Sequence, residues 1–256
     1  MQNTELASLI LSGNVARLVL KRPPLNFLNL ELLRQVEDQL ESLPDSPPFR
    51  MLTLESEGAA FSAGLEVSER TRETIFLLLE QFHRVVHKLN SFPRPTVAIV
   101  RGMALGAGNE LVACCDFAFA AENASFGQPE INVGSIPSLA PLLLPPLVGQ
   151  RRAVQLILTG ELISAQEAAR IGLVHRAMPE DQLPRAVEDL LRKLEGMSLA
   201  VIELALQAMR WARIEQVQDH LRQAESLYLN ELMELEDPVE GVEAFLEKRP
   251  PRWKNR

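Results

Sequence analysis

The chain has 256 residues, 46% of them hydrophobic and 23% charged, with a formal net charge of −8. That size suits one domain with an appendage rather than two independent units, and the acidic balance argues against a nucleic-acid surface spread over the fold. The two cysteines, Cys114 and Cys115, are adjacent in an apolar run with neither metal-ligand spacing nor a long disulfide loop, which suits buried thiols in a reducing, cytoplasmic compartment.

In chain order, the N-terminal stretch lacks a basic leader and reads as two strands, Ala7–Leu11 and Val15–Leu20, joined by a Gly13-Asn14 turn. A helical pattern runs from about Leu30 to Leu43 and is closed by Pro44 and the Pro47-Pro48 pair. Arg50–Glu55 is strand-like, Gly58–Arg70 reads as a loop, Thr71–Asn90 as a long amphipathic helix, Thr96–Val100 as a buried strand, Ala107–Cys115 as a helix and Asp116–Ala121 as another strand. The apolar segment Ile136–Val148 carries Pro137, Pro141, Pro145 and Pro146 and is too short and too often broken to span a bilayer as a helix, so no membrane span is expected. From about Ser164 onward the pattern is helical with no convincing strand. A helix over Glu188–Glu195 stops at Gly196, which puts a junction at Met197-Ser198, and three further helical segments run to about Lys248. Alternating strands and helices favour an α/β fold over residues 1–197, with residues 198–256 as a helical appendage.

The chemistry concentrates in G-M-A-L-G-A-G-N-E, Gly102 to Glu110, followed by Gly127-Gln-Pro-Glu130. Two glutamates beside a glycine-rich turn in an apolar setting suit an acid and a base working on one water, with backbone N–H groups polarising a carbonyl. If both carboxyls approach one water, repulsion and desolvation keep one of them protonated near neutral pH. A dinucleotide fingerprint is excluded, because Leu111 stands where the third glycine of G-x-G-x-x-G would be, and no Walker lysine follows. A second loop, Ala59 to Glu66, places small residues around Gly64 at the end of a strand, where its backbone could reach a ligand. His83 and His87 have metal-like spacing on one helix but lack the glutamate of a zinc protease motif, and they read as surface or interface residues. Ser62 has no evident histidine and acid to complete a hydrolase triad. Arg151-Arg152 reads as a helix cap or salt bridge sooner than as a phosphate contact, and His175 and His220 are isolated.

Five segments carry a resemblance over nearly the whole chain: F-S-A-G-L-E (Phe61–Glu66), R-G-M-A-L-G-A-G-N-E-L (Arg101–Leu111), F-G-Q-P-E-I (Phe126–Ile131), L-T-G-E-L-I-S-A-Q-E-A-A-R-I-G-L-V (Leu158–Val174) and F-L-E-K-R-P (Phe245–Pro250). Together the sequence resembles the enoyl-CoA hydratase/isomerase, or crotonase, superfamily. The resemblance implies a spiral of ββα turns with a C-terminal helical trimerisation region, assembled as a homotrimer or a homohexamer built as a dimer of trimers.

Carried over by position, the family's oxyanion hole falls on the backbone N–H groups of Leu65 and Ala107, with Gly64 and Gly106 allowing the approach. Its acid/base pair falls on Glu110 and Glu130, both present here, which favours hydration over the isomerase, decarboxylase and dehalogenase branches. The implied mechanism has Glu110 deprotonate water for attack at the β-carbon and Glu130 protonate the enolate, with no metal or redox cofactor. The CoA of an acyl-CoA substrate is implied to lie along Ala63–Leu65 and Leu25, with Phe245 and Lys248 reaching its nucleotide end. Where many hydratases have a glycine-rich turn, this chain has Pro137-Ser-Leu-Ala-Pro141, so Ser138, Leu139, Ala140 and Pro141 are expected to form a differently shaped acyl wall. Leu65, the P-P-L-N-F-L-N stretch at Pro23–Asn29 and the C-terminal ending are similar to cyclohexa-1,5-diene-1-carbonyl-CoA hydratases of anaerobic aromatic degradation, which act on a flat ring. The competing readings are a general enoyl-CoA hydratase, a superfamily isomerase or decarboxylase, and a non-catalytic oligomeric protein binding CoA or RNA. The net charge and lack of a clustered basic stripe lower the RNA option.

Overall fold

The structure, a computed structural model, describes residues 4–44, 48–71 and 73–255, with residues 211–222 described by their backbone alone. Its framework is a six-stranded sheet in the order β1-β2-β3-β4-β6-β9. β1 (Ala7–Ser12) and β2 (Val15–Leu20) form an antiparallel hairpin around Gly13, whose φ of +56° suits the tight turn. From β2 onward the strands are parallel: β3 (Met51–Ser56), β4 (Thr96–Val100), β6 (Phe117–Ala121) and β9 (Arg176–Met178). Parallel strands covered on both faces read as near-continuous apolar runs, and T-V-A-I-V in β4 is buried at every position.

A smaller sheet in the order β5-β7-β8 is built from Met103–Leu105, Ser125–Gly127 and Leu162–Ser164. Parallel bridges Ser62↔Ala104 and Leu28↔Leu65 continue that layer into the earlier connections. Each turn of the chain therefore adds one strand to the large sheet, one extended piece to the small layer, and one helix. The helices are α1 (Leu30–Glu41), α2 (Ile75–Asn90) and α3 (Ala107–Cys114), then α4 (Ala140–Val148), α5 (Gln150–Thr159) and α6 (Ala165–Arg170). This is the expected spiral of ββα turns. One face of the large sheet joins the main core, and the other packs Met51, Val97, Ile99 and Phe119 against Leu183 and Ala186 of α7 (Leu183–Glu195).

Beyond Met197 come α8 (Leu199–Ser226), a π-helical turn over Leu227–Glu231, a 3-10 turn over Leu232–Glu234, and α9 (Asp237–Leu246). α8 is fixed to the core by Arg210, which donates to Asp116 Oδ1 at 3.0 Å and to the Arg94 carbonyl at 3.2 Å. Asp116 Oδ2 in turn accepts from the N–H of Thr96 at 2.8 Å.

Several sequence expectations need correction. The region after Ser164 does contain a strand, β9, which extends the large sheet beside β6; at three residues it shows no readable period. α7 starts at Leu183, earlier than expected, because Pro184 in its first turn costs no internal hydrogen bond. The expected loop Gly58–Arg70 contains a 3-10 turn, Val67–Glu69, and α2 begins at Ile75. His83 is buried, its Nδ1 2.6 Å from Glu225, while His87 is exposed. His220 and the Pro47 of the Pro47-Pro48 pair lie outside the described side chains. No helix among the described residues is long and apolar enough to cross a membrane.

Candidate active site

Gly106 ends β5 and caps α3 at φ +53° and ψ −126°, a backbone shape that side chains avoid. The turn presents the Ala107 N–H at the start of α3, where the first amides of a helix have no internal acceptor and carry positive partial charge. Gly64, at φ +97°, brings the preceding loop against it: a Cβ there would lie 3.0 Å from the Leu105 carbonyl and 3.6 Å from Ala107 N. The N–H of Leu65 follows directly. Neither amide donates to another described residue, so two free donors stand side by side. Ser62 locks the loop by donating to the Asn26 carbonyl at 2.8 Å and accepting from Gly64 N at 3.2 Å.

Glu110 stands one turn into α3 and is 1% exposed. Its Oε1 accepts from Leu139 N at 2.7 Å and Ala140 N at 2.6 Å, the opening of α4. Glu130 lies in a 3-10 segment, Pro129–Val133, directly after β7, and is 5% exposed. Its carboxylate rests on Gly106, where a Cβ would sit 2.4 Å from Oε1. With the Gln128 amide nitrogen turned toward Glu130, it donates to both carboxylate oxygens at 3.2 and 3.3 Å, while its oxygen accepts from Asn109 Nδ2 at 3.1 Å.

Burial pushes the Glu110 carboxyl up to about 8, with the Glu130 charge adding to the rise and the Leu139 and Ala140 amides opposing it. Burial likewise pushes Glu130 up to about 7, opposed chiefly by the Arg70 guanidinium. Repulsion between like charges is mutual, so ionising one carboxyl of the pair makes the other hold its proton more tightly.

Two spaces that share Leu65, Arg70 and Glu130 in their linings adjoin these groups. A cavity of about 430 Å³ is lined by Leu25, Ala63, Leu65, Gly106, Glu130 and Phe245, among others. A second space of about 10 Å³ is lined by Leu65, Arg70, Ala107, Glu110, Glu130 and Ser138, and also by Leu79, Ile136, Pro137 and Tyr228. That is room for about one water. Tyr228 is held by a 2.7 Å hydrogen bond with Ser135.

The sequence-predicted residues thus separate into groups. Glu110, Glu130, Leu65, Ala107, Gly64 and Gly106 converge, and Leu25, Ala63 and Phe245 line the larger cavity. Lys248 does not line it; the adjacent Arg249 does, paired with Glu240. Of the expected acyl wall only Ser138 borders the inner space, whereas Leu139 and Ala140 turn their amides to Glu110 and Pro141 is exposed. Leu79, Ile136, Pro137 and Tyr228 form the remaining wall. Arg70 escaped the sequence reading because a cation in a polar loop carries no sign of what it faces. Arg152 pairs with Glu167 at 3.4 Å, the helix salt bridge expected of it.

Known proteins are similar to this chain in sequence and fold. The model of the enoyl-CoA hydratase/isomerase family matches residues 11–256. The chain is 35% identical to a cyclohexa-1,5-dienecarbonyl-CoA hydratase from Thauera aromatica, covering 95% of this chain and 94% of the relative. It is equally 35% identical to a crotonyl-CoA hydratase from Syntrophomonas wolfei, covering 92% of each. Among solved structures, an enoyl-CoA hydratase from Mycobacterium avium subsp. paratuberculosis superposes with a TM-score of 0.86 at 26% identity, covering 98% of this chain and 99% of that one.

Proposed function

Because the chain belongs to the enoyl-CoA hydratase/isomerase family and is a hydro-lyase of the enoyl-CoA hydratase type, we propose that it adds water reversibly to cyclohexa-1,5-diene-1-carbonyl-CoA, giving 6-hydroxycyclohex-1-ene-1-carbonyl-CoA. The observation that carries the hydration chemistry is the convergence of two buried glutamates and two free amides on a water-sized space that shares Leu65 and Glu130 with a larger cavity. In this reading the thioester oxygen accepts from Leu65 and Ala107 N–H, each such donor contributing roughly 3 to 4 kcal/mol to the transition state in known cases. Ionised Glu110 takes a proton from water as oxygen bonds to the β-carbon, and the C=C electron pair moves into the enolate. Glu130, the carboxyl that borders both spaces, returns a proton to carbon. Glu110 holds a proton to higher pH than Glu130, about 8 against about 7, so the step starts from the less populated arrangement with Glu110 ionised and Glu130 protonated, toward which the amides of Leu139 and Ala140 pull. The pair begins and ends with one proton.

For the cyclic substrate, the Thauera relative and the apolar lining of Leu79, Ile136, Pro137 and Tyr228 support a short, flat acyl group. The dienolate is then protonated at the far end of the diene rather than at the α-carbon, a position to be read by locating deuterium in product formed in heavy water. The Syntrophomonas relative supports crotonyl-CoA as the second reading. CoA is part of the substrate, and the reaction so described draws on no other cofactor. The exposed apolar side chains Val201, Leu204 and Met209 on α8 support burial in a homotrimer or homohexamer. The adjacency of Cys114 and Cys115 within one buried apolar run, a spacing that closes no long loop, supports a cytoplasmic location.

The test is turnover of cyclohexa-1,5-diene-1-carbonyl-CoA and crotonyl-CoA side by side, followed by mass and ultraviolet absorbance. Fast turnover of the diene with little on crotonyl-CoA is the expected result. The reverse preference makes the protein a general enoyl-CoA hydratase, and inactivity on both favours an isomerase or decarboxylase.

A further inference from the structure

Buried polar side-chain atoms normally find partners, and those that do not call for an explanation. Ser138 Oγ and Arg70 Nε are both buried and without a hydrogen-bond partner among the described residues. Both residues border the same small space as Glu110 and Glu130. Ser138 is 8% exposed, and Arg70 is held in place by donating from Nη2 to the Leu65 carbonyl at 3.3 Å. The space, about 10 Å³, is close to the least that admits a water, and a buried water takes two to four polar partners.

We propose that this space is a four-group site for the single oxygen added to the substrate, in which Ser138 Oγ and Arg70 Nε are positioning groups beside the Glu110 and Glu130 carboxyls. The proposal rests on the hydratase reading and assigns two residues that the reading does not use. The water donates to the carboxylates, and its lone pairs face Arg70 Nε–H and the Ser138 hydroxyl. Arg70 Nε–H is fixed by the guanidinium plane, whereas the serine hydroxyl turns about one single bond. Its rotation frees a lone pair toward the β-carbon. As the new C–O bond forms, one water proton passes to Glu110, the π pair moves toward the thioester oxygen, and the hydroxyl of the product stays in the same four-group site. The site therefore recognises a β-hydroxyl over a β-hydrogen.

The test compares affinities of the full-length protein for 3-hydroxybutyryl-CoA and butyryl-CoA, which differ at that oxygen, by isothermal titration. The wild type binds the hydroxy compound more tightly. Ser138→Ala loses about tenfold of that preference, the scale of one hydrogen bond; Ser138→Thr keeps it, and Arg70→Met loses at least as much as Ser138→Ala. Affinity for butyryl-CoA stays within about twofold in all three. A preference that survives in both Ser138→Ala and Arg70→Met overturns the assignment, as does equal loss for both ligands, which indicates a merely structural role. Failure of the wild type to bind either acyl-CoA, together with inactivity on both cyclohexa-1,5-diene-1-carbonyl-CoA and crotonyl-CoA, is a different result and overturns the hydratase reading itself.

Discussion

Replacing Gly106 by alanine tests the geometry at its tightest point. The added Cβ falls 2.4 Å from Glu130 Oε1 and 3.2 Å from its carboxyl carbon, so the carboxylate must retreat by about 1 Å to reach ordinary contact. A displacement of that size in a positioned group costs on the order of 100-fold in rate. The same substitution strains a backbone at φ +53°, ψ −126°, by about 1–3 kcal/mol, and turns the peptide that presents the Ala107 N–H. We expect kcat to fall by about 10² to 10⁴, with KM changed far less, because the groups affected act on the transition state. The assay is loss of enoyl-thioester absorbance, with thermal unfolding measured in parallel. Gly108→Ala is the control, since its Cβ would strike the Ser62 carbonyl at 2.6 Å rather than a carboxylate. It should lose stability with a smaller loss of kcat. Wild-type kcat in Gly106→Ala, or equal kcat losses in the two variants, would refute the reasoning.

The remaining predictions concern the carboxyl pair and the C-terminal anchor. Glu110→Gln and Glu130→Gln should each lower hydration by at least about 10²-fold while butyryl-CoA still binds in a titration, since each removes one proton-transfer group. Both carboxyls are raised from 4.5, to about 8 and about 7, so the folded state holds protons that the unfolded chain has released. Stability present below about pH 4.5 is therefore lost as pH rises through that window. Glu110→Gln cannot ionise and keeps an oxygen for the Leu139 and Ala140 amides, so it should melt higher than wild type at pH 8, by up to a few kcal/mol at about 1.4 per unit. That gap should close by about pH 5 in calorimetry. Arg210→Met removes the guanidinium that donates to the Asp116 carboxylate and to the Arg94 carbonyl and should destabilise the fold by about 1–3 kcal/mol in urea titration.

How much of this was legible in the sequence depended on element length and on whether a residue's job is local. Strands β1 to β4 and β6 were readable because their apolar runs are five or six residues long. The strands β5, β7, β8 and β9 have three residues each, too few to show a period, and their pairing comes from neighbours far along the chain. Glu110 and Glu130 stood out because carboxylates are costly in apolar runs. Leu139 and Ala140 were readable as part of a wall but not as amide donors, since that role depends on how α4 starts against α3. Arg70 faces the carboxyls only because Leu65 and the 3-10 turn after it fold back over the site.

The residues after Met197 also build the site itself. Gly241 of α9 lies so close to the segment carrying Glu130 that a Cβ would stand 2.2 Å from the Val133 carbonyl. Gly134, at the end of that segment, is equally crowded by the Asp237 carbonyl at 2.7 Å and the Trp253 ring at 3.1 Å. The tail is tied back onto α9, with Arg252 N donating to Glu240 Oε1 at 2.7 Å and the Lys254 and Asn255 amides to the Asp237 carboxylate at 2.6 and 2.8 Å. Gly241, Ala244, Phe245 and Pro251 then close one side of the larger cavity. The position of Glu130 is thus set on one side by the glycine turn before α3 and on the other by the last helix of the chain. Proton transfer tolerates little misplacement, so packing at α9, more than 100 residues away in sequence, reaches the chemistry through the backbone of Pro129–Val133.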